Sequence, residues 1–349
     1  MTLTQAALLT RRAILFSIIS LIVGITGLIG YNIWHAYYLA SLPPVEEKPD
    51  IKFGLLPLPE FPQGSVSTSN FSYSLDTTTG GLPKLGMDEG FEKVVRVYFV
   101  TQTFATLLAP EKSTALAEKF EISSAPEIIS ETRYRYKEQN KTLLVDLDNG
   151  NFAYNKDSTP SANVNLDDDD KLISDFKQTL SALGILKEDL QDGRVRITYL
   201  KINGSQLSLT QVKSEAVAYQ ISLWPAAIDK RPIFTPDFNN ALITAVISGE
   251  ARDIDNYLAL RFTHYPIDLS TYATYPTKTA EEAFDDLKTG RGTVIIAPDK
   301  PQVSVTSVSL GYYLSGSYSP YLQPIYVFEG PNFVSYVSAV SEQFQNQTR

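Results

Sequence analysis

The chain has 349 residues, 43% hydrophobic and 20% charged, enough for a sizeable core and about two domains. A formal net charge of -9 with no basic stripe excludes a nucleic-acid binder, whose affinity comes from clustered Lys and Arg. With no cysteine there is no disulfide framework, no thiolate zinc site, no iron–sulfur cluster and no cysteine nucleophile.

Residues 1 to 12 end on Arg11 and Arg12, which abut an uncharged run from Ala13 to Ile33. At ~1.5 Å rise per residue this run matches a hydrocarbon layer of ~30 Å, and Tyr31, Trp34, Tyr37 and Tyr38 read as an interfacial aromatic belt around His35. The sequence thus predicts a single transmembrane helix over residues 13 to 38 in a cell membrane. Its N-terminus is expected to be cytoplasmic and the remainder extracytoplasmic, because Lys48 and Lys52 lie among Glu46, Glu47 and Asp50 while the arginines touch the span. A cleaved signal peptide fits less well, since Tyr38 stands where a small residue would precede cleavage after Ala40. Ser17, Ser20, Gly24 and Gly27 recur at helical spacing and predict a face for close packing against a partner helix. From residue 39 to 70 come Pro43, Pro44, Pro49, Pro57, Pro59 and Pro62, then QGSVSTSN, a composition that predicts an extended stalk.

Beyond the stalk the periodicities alternate. EKVVRVYFV (92 to 100) is a β-branched and aromatic strand, and Pro110 opens a helix with Leu116, Ala117 and Phe120 on one face. Alternation then predicts strands over 132 to 155, with Asn149-Gly150 as a two-residue hairpin turn. A helix with Leu172, Ile173, Phe176, Leu180 and Leu183 starts near Asp170 and stops at Gly184. Strands follow at 194 to 202 and 216 to 224, joined through the Asn203-Gly204 turn and a further extended segment. Thr279 and Glu282 form a capping box ahead of Ala280, Ala283, Phe284 and Leu287, and Gly290 is the stop. Three strands come last, Gln302 to Leu314 with a bulge near Thr306 and Ser307, then Leu322 to Phe328 and Phe333 to Ala339. The tyrosine-rich run at 310 to 330 reads as core, with Tyr312 sharing a strand face with Leu310 and Leu314. Tyr318 and Tyr321, in a polar connection, are the expected exposed partner contacts. The fold class predicted is α+β: the membrane helix, then repeated helix-plus-antiparallel-sheet modules, divided as 71 to 225 and 226 to 349.

TAEEAFDDLKTGRG, VSLGYYL and YLQPIYVFEG together resemble the C-terminal module of YycH/YycI-type regulatory proteins and the wider PepSY-like group. The matching positions are Glu281, Glu282, Ala283, Leu287, Gly290, Leu310, Tyr312, Tyr313, Gln323 and Pro324, and the resemblance is clear over 275 to 340. It implies a membrane-anchored protein that associates with a sensor kinase or other envelope machinery and modulates it. Its matching residues are scaffold and imply no catalytic group.

Chemistry-bearing patterns are sparse. His35 and His264 are too few and too separated for a histidine metal site, and no G-x-S-x-G elbow accompanies His264. Asp167 to Asp170 fan around a helix start, where they complement its dipole. The Asp146 loop, DLDNGN, places its glycine one position early for a calcium loop and lacks the closing Glu. TGRGT (289 to 293) lacks the phosphate-loop spacing, so neither nucleotide nor cofactor is expected. The function expected is a non-enzymatic membrane protein that binds or regulates an envelope protein partner. An envelope hydrolase acting on wall polymer or peptide, and a structural subunit of a secretion or adhesion complex, are the alternatives.

Overall fold

The computed structural model describes residues 3–41, 48–64, 66–76, 81–82, 91–160, 164, 166–204 and 206–346. They fall into two compact units, Met1–Glu47 and Lys48–Arg349.

The first unit is helix α1 (Leu3–Ser41). It has no proline before Pro43, and Leu, Ile and Ala dominate it, so nothing interrupts the backbone ladder. Its side chains are described at 16–17, 19–35 and 37–38, and Phe16, Leu21, Val23, Leu28 and Trp34 are all exposed. Tyr31 stacks on His35 and Trp34 on Tyr38, both at 5.7 Å, one helical turn apart. Among the described residues no helix is long and apolar enough to cross a membrane. This finding corrects the transmembrane helix expected over 13 to 38: the structure has a helix over Leu3–Ser41 that does not meet that standard among its described residues.

The second unit opens with β1 (Ser72–Leu75), β2 (Val94–Val100), α2 (Ala109–Lys119), β3 (Glu127–Ser130), β4 (Arg133–Glu138), β5 (Lys141–Asp146) and β6 (Phe152–Lys156). It continues with α3 (Asp169–Ala182), α4 (Glu188–Gln191), β7 (Val195–Asn203), β8 (Gln206–Thr210), β9 (Ala218–Leu223), β10 (Ile233–Phe234), β11 (Ile243–Ile247), β12 (Tyr257–Phe262) and β13 (Ile267–Pro276). It ends with α5 (Ala280–Lys288), β14 (Thr293–Ile296), β15 (Gln302–Val305), β16 (Ser307–Tyr313), β17 (Tyr321–Gly330) and β18 (Phe333–Ser338).

Nine strands form one antiparallel sheet in the order β3-β4-β5-β6-β12-β11-β9-β7-β8. Alternation puts Tyr136, Leu143, Phe152, Tyr154, Ile221 and Ile243 on one face, where Ala117 of α2, Phe120 just past its end, and Leu172, Phe176 and Leu180 of α3 cover them. A second sheet runs β10-β16-β17-β18-β14, with β2 bonded to β17 and to β13, and β1 pairs β15 in parallel. α5 lays Ala280, Ala283 and Leu287 on Val305, Val308, Tyr326 and Phe328. The capping box is present, with Glu282 N–H donating to Thr279 Oγ1 and Thr279 N–H to Glu282 Oε2.

The expected repeat of helix-plus-sheet modules is overturned: the fold is mostly β, in three sheets. The reason lies in residues 226 to 276, for which the sequence pattern predicts no element. They supply β11 and β12, which join β9 to β6 and make two presumed sheets one. The boundary expected at 225 therefore runs through a sheet, and β2 leaves the N-terminal half to pair with β13. The bulge expected near Thr306 is a break between β15 and β16. Val303, Val305, Val308 and Leu310 all reach the same core, as a bulge would have required.

The expected stalk is in part a strap, because residues from 48 onward pack on the compact unit. Leu56 is fully buried, Phe53 stacks on Tyr321 at 4.9 Å, and Phe61 meets Tyr313 edge-on at 4.9 Å. Gln323 donates to Pro57 O at 2.8 Å, and Tyr313 to Glu60 O at 2.8 Å. Prolines pre-set this segment as extended chain, so docking it orders few additional torsions. Residues 42–47 of the expected stalk lie outside the described residues.

Candidate functional site

The residues singled out by sequence pattern do not converge. Ser17, Ser20, Gly24 and Gly27 are exposed on α1, and a Cβ added at Gly24 or Gly27 would meet nothing within 4 Å. Tyr318 is half-buried, donating to Val100 O at 3.2 Å and packing edge-on to Tyr265. Tyr321 is half-buried between Phe53 and Phe99. Both expected contact residues are thus engaged inside the protein. His264 is buried with its Nε2 2.9 Å from Asp189 Oδ2 and its N–H on Asn151 Oδ1, a brace between β12 and α4. The Asp146 loop is a hairpin connection: Gly150 N–H donates to Asp146 O and Asp146 N–H to Asn151 O, enclosing four residues rather than two.

A second polar assembly sits at the turn before β10. Asp229 and Lys230 both hold positive φ, 50° and 62°, and the Asp229 carboxylate accepts from Tyr98 at 2.6 Å and lies 3.3 Å from the Tyr312 hydroxyl, whose proton is shared with the nearer Arg96 O. Burial and the adjacent carboxylate push the Tyr98 hydroxyl up to about 12. Arg231, almost fully buried, pairs with Glu92 at 2.6 Å. These contacts lock the turn against β2.

A cleft of about 590 Å³ opens where α2, the β5–β6 connection and the end of α3 meet, lined among others by Phe104, Leu116, Val145, Leu147, Leu183 and Phe262. Each wall has a local cause. α2 starts with Pro110 in its first turn and carries Glu111 and Lys119 at the ends its dipole favours. Ser113, inside α2, hydrogen-bonds Tyr136 at 2.7 Å and fixes the helix on the sheet. α3 ends at Gly184, whose φ of 76° lets Ile185 N–H reach back to Leu180 O. Lys119 Nζ donates to Ala182 O and Leu183 O, tying the end of α3 to α2. Asp148 accepts Ala105 N–H at 3.0 Å, which holds the segment before α2 over the hairpin.

That segment, TFATLLAP, turns its apolar side chains outward: Phe104 is 67% exposed, Leu107 99% and Leu108 55%. Exposed Lys112 and Lys187 stand on the cleft rim, and neither ammonium carries an ion pair or hydrogen bond among the described residues. Sequence pattern missed this site because an apolar run directly before a proline-started helix reads as its approach. The available signal is that Phe104, Leu107 and Leu108 fit neither the face of α2 nor a strand alternation.

No protein-family model matches the chain, and no curated protein matches it. Among solved structures it is similar to an uncharacterized protein from Eubacterium rectale ATCC 33656, at 11% identity and a TM-score of 0.35, over 71% of this chain and 84% of that one.

Proposed function

We propose that the protein is a non-enzymatic binding or regulatory component of the cell envelope, held to lipid through α1 and engaging a protein partner at the α2 cleft. The observation that carries this reading is the apolar crest of Phe104, Leu107 and Leu108 beside a formed cleft. Each such side chain forgoes ~1.5–3 kcal/mol of burial, and apolar residues clustered on a surface mark interaction sites. The resemblance over 275 to 340 to YycH/YycI-type regulators supports the same role. An extracytoplasmic position for the compact unit belongs to this proposal and rests on Arg11 and Arg12 preceding the uncharged run.

The test is a photo-crosslinking amino acid placed at position 107, and separately at position 209, in cells. Leu209 is also exposed, at 70%, but lies on edge strand β8 of the nine-stranded sheet. A discrete protein adduct from 107 and none from 209 is expected, lost when Phe104→Ser is added. Identical adducts from both positions, or none from either, would overturn the assignment.

A further inference from the structure

We infer that the α2 cleft takes an acidic peptide segment of its partner, seating a bulky apolar side chain in the cleft while carboxylates meet Lys112 and Lys187. This rests on the proposed partner-binding role and names the chemistry of the partner.

The cleft floor is apolar, formed by Leu116, Val145, Leu147, Leu183 and Phe262, so what enters must be apolar at its tip. The rim is polar and unevenly satisfied. Of its carboxylates, Asp146 accepts Asp148 N–H at 3.0 Å and Asp148 accepts Ala105 N–H, so both are committed to the local backbone. Of its ammonium groups, Lys119 is committed to the carbonyls ending α3, whereas Lys112 and Lys187 are free to pair. Free cations beside an apolar hole, in a chain of formal net charge -9, select an anionic ligand locally and against the general field.

Size decides between a small amphiphile and a polypeptide. About 590 Å³ would suit a drug-sized molecule by itself. The apolar surface does not stop at the cleft, however: Leu107 and Leu108 lie outside its lining, and Leu107 is 99% exposed. A small amphiphile seated in the cleft leaves that crest uncovered. A peptide continuing over the rim covers it, and backbone of the ligand supplies the length.

Fluorescence anisotropy on the full chain in neutral-lipid nanodiscs tests this with a short labelled peptide of alternating glutamate and leucine and its lysine-for-glutamate counterpart. The glutamate peptide should bind and the lysine peptide should not. Affinity should drop about tenfold or more in the Lys112→Glu/Lys187→Glu double variant, with unchanged melting, because rim charges act on association rather than on the fold. Equal binding by the double variant, equal binding of the lysine peptide, no binding of either peptide, or binding of dodecanoate where the peptide fails would each overturn the inference. Crosslinking at position 107 separates the two levels. An adduct that persists in the double variant alongside any of those results leaves the partner-binding role standing and removes only the acidic peptide.

Discussion

Tyr312 shows how one side chain can be read from strand parity and still have partners that parity does not reveal. Its ring is fully buried and its hydroxyl donates to Arg96 O at 3.0 Å, so Tyr312→Ala should destabilise the compact unit by ~3–5 kcal/mol. Tyr318→Ala removes a half-buried ring and one 3.2 Å hydrogen bond and should cost ~1 kcal/mol. Thermal melts of the two variants side by side check the ranking, and equal shifts would contradict the core assignment. Gly311, in the same strand, is needed for close approach, since a Cβ there would lie 2.4 Å from the Phe234 ring and 2.6 Å from Pro232 O. Tyr219 is the opposite case: its buried hydroxyl has no partner among the described residues, so Tyr219→Phe should raise stability by ~1 kcal/mol in denaturant titration. Glu329 adds a pH dependence. Burial raises its carboxyl above the ordinary range, partly offset by Arg194, so the folded state holds its proton more tightly than the unfolded chain. That contribution is present below the unfolded value of ~4.3 and is lost as pH rises through the folded value. Glu329→Gln should therefore gain on the wild type as pH is raised from 4 to 7; a constant difference between the two melting curves would count against the burial argument.

At the scale of elements, what could be read from sequence is what local chemistry punctuates. α2, α3 and α5 each carry a start signal, an apolar face and a stop, and β4 to β7 carry alternation between turn residues. β11 and β12 escaped because ITAVI and YLALRF are short, joined through residues 248 to 256 rather than a two-residue turn, and defined by partners far along the chain, as when Leu260 lies opposite Tyr154. Non-local pairing leaves no local trace. The strap escaped for a related reason: proline enrichment predicts extended chain correctly, but says nothing of whether Leu56 and Phe61 will find a surface. That surface sets an expectation about truncation. A fragment beginning at residue 71 loses Leu56, the rings of Phe53 and Phe61, and the acceptors of Tyr313 and Gln323. Burial of Leu56 alone is worth ~2–5 kcal/mol, so residues 71 to 349 should unfold at clearly lower urea than residues 48 to 349. Coincident unfolding curves would show that the strap does not hold the sheet.

For the whole molecule, charge and apolar exposure are segregated along the chain. In residues 1 to 47 Arg11 and Arg12 cancel Glu46 and Glu47, so the formal net charge of -9 resides in the compact unit. The exposed apolar residues divide the other way. Phe16, Leu21, Ile22, Val23, Leu28 and Ile33 are each more than half exposed on α1, whereas the compact unit buries most of its large side chains around its three sheets and exposes, besides the cleft crest, scattered residues such as Leu55, Ile128, Leu209 and Leu269. Exposed apolar side chains at this density favour an apolar surrounding, and an acidic body gives no electrostatic attraction to anionic headgroups. Lipid binding should therefore depend on α1 alone. In flotation with neutral phosphatidylcholine vesicles the full chain should rise with the lipid, undiminished at 0.5 M salt, while residues 48 to 349 stay at the bottom. Adding anionic lipid should not recruit the fragment, because like charges repel over the ~8–10 Å screening length at moderate ionic strength. A fragment that floats, or a full chain released by salt, would place the lipid contact on the compact unit and detach α1 from the proposed membrane role.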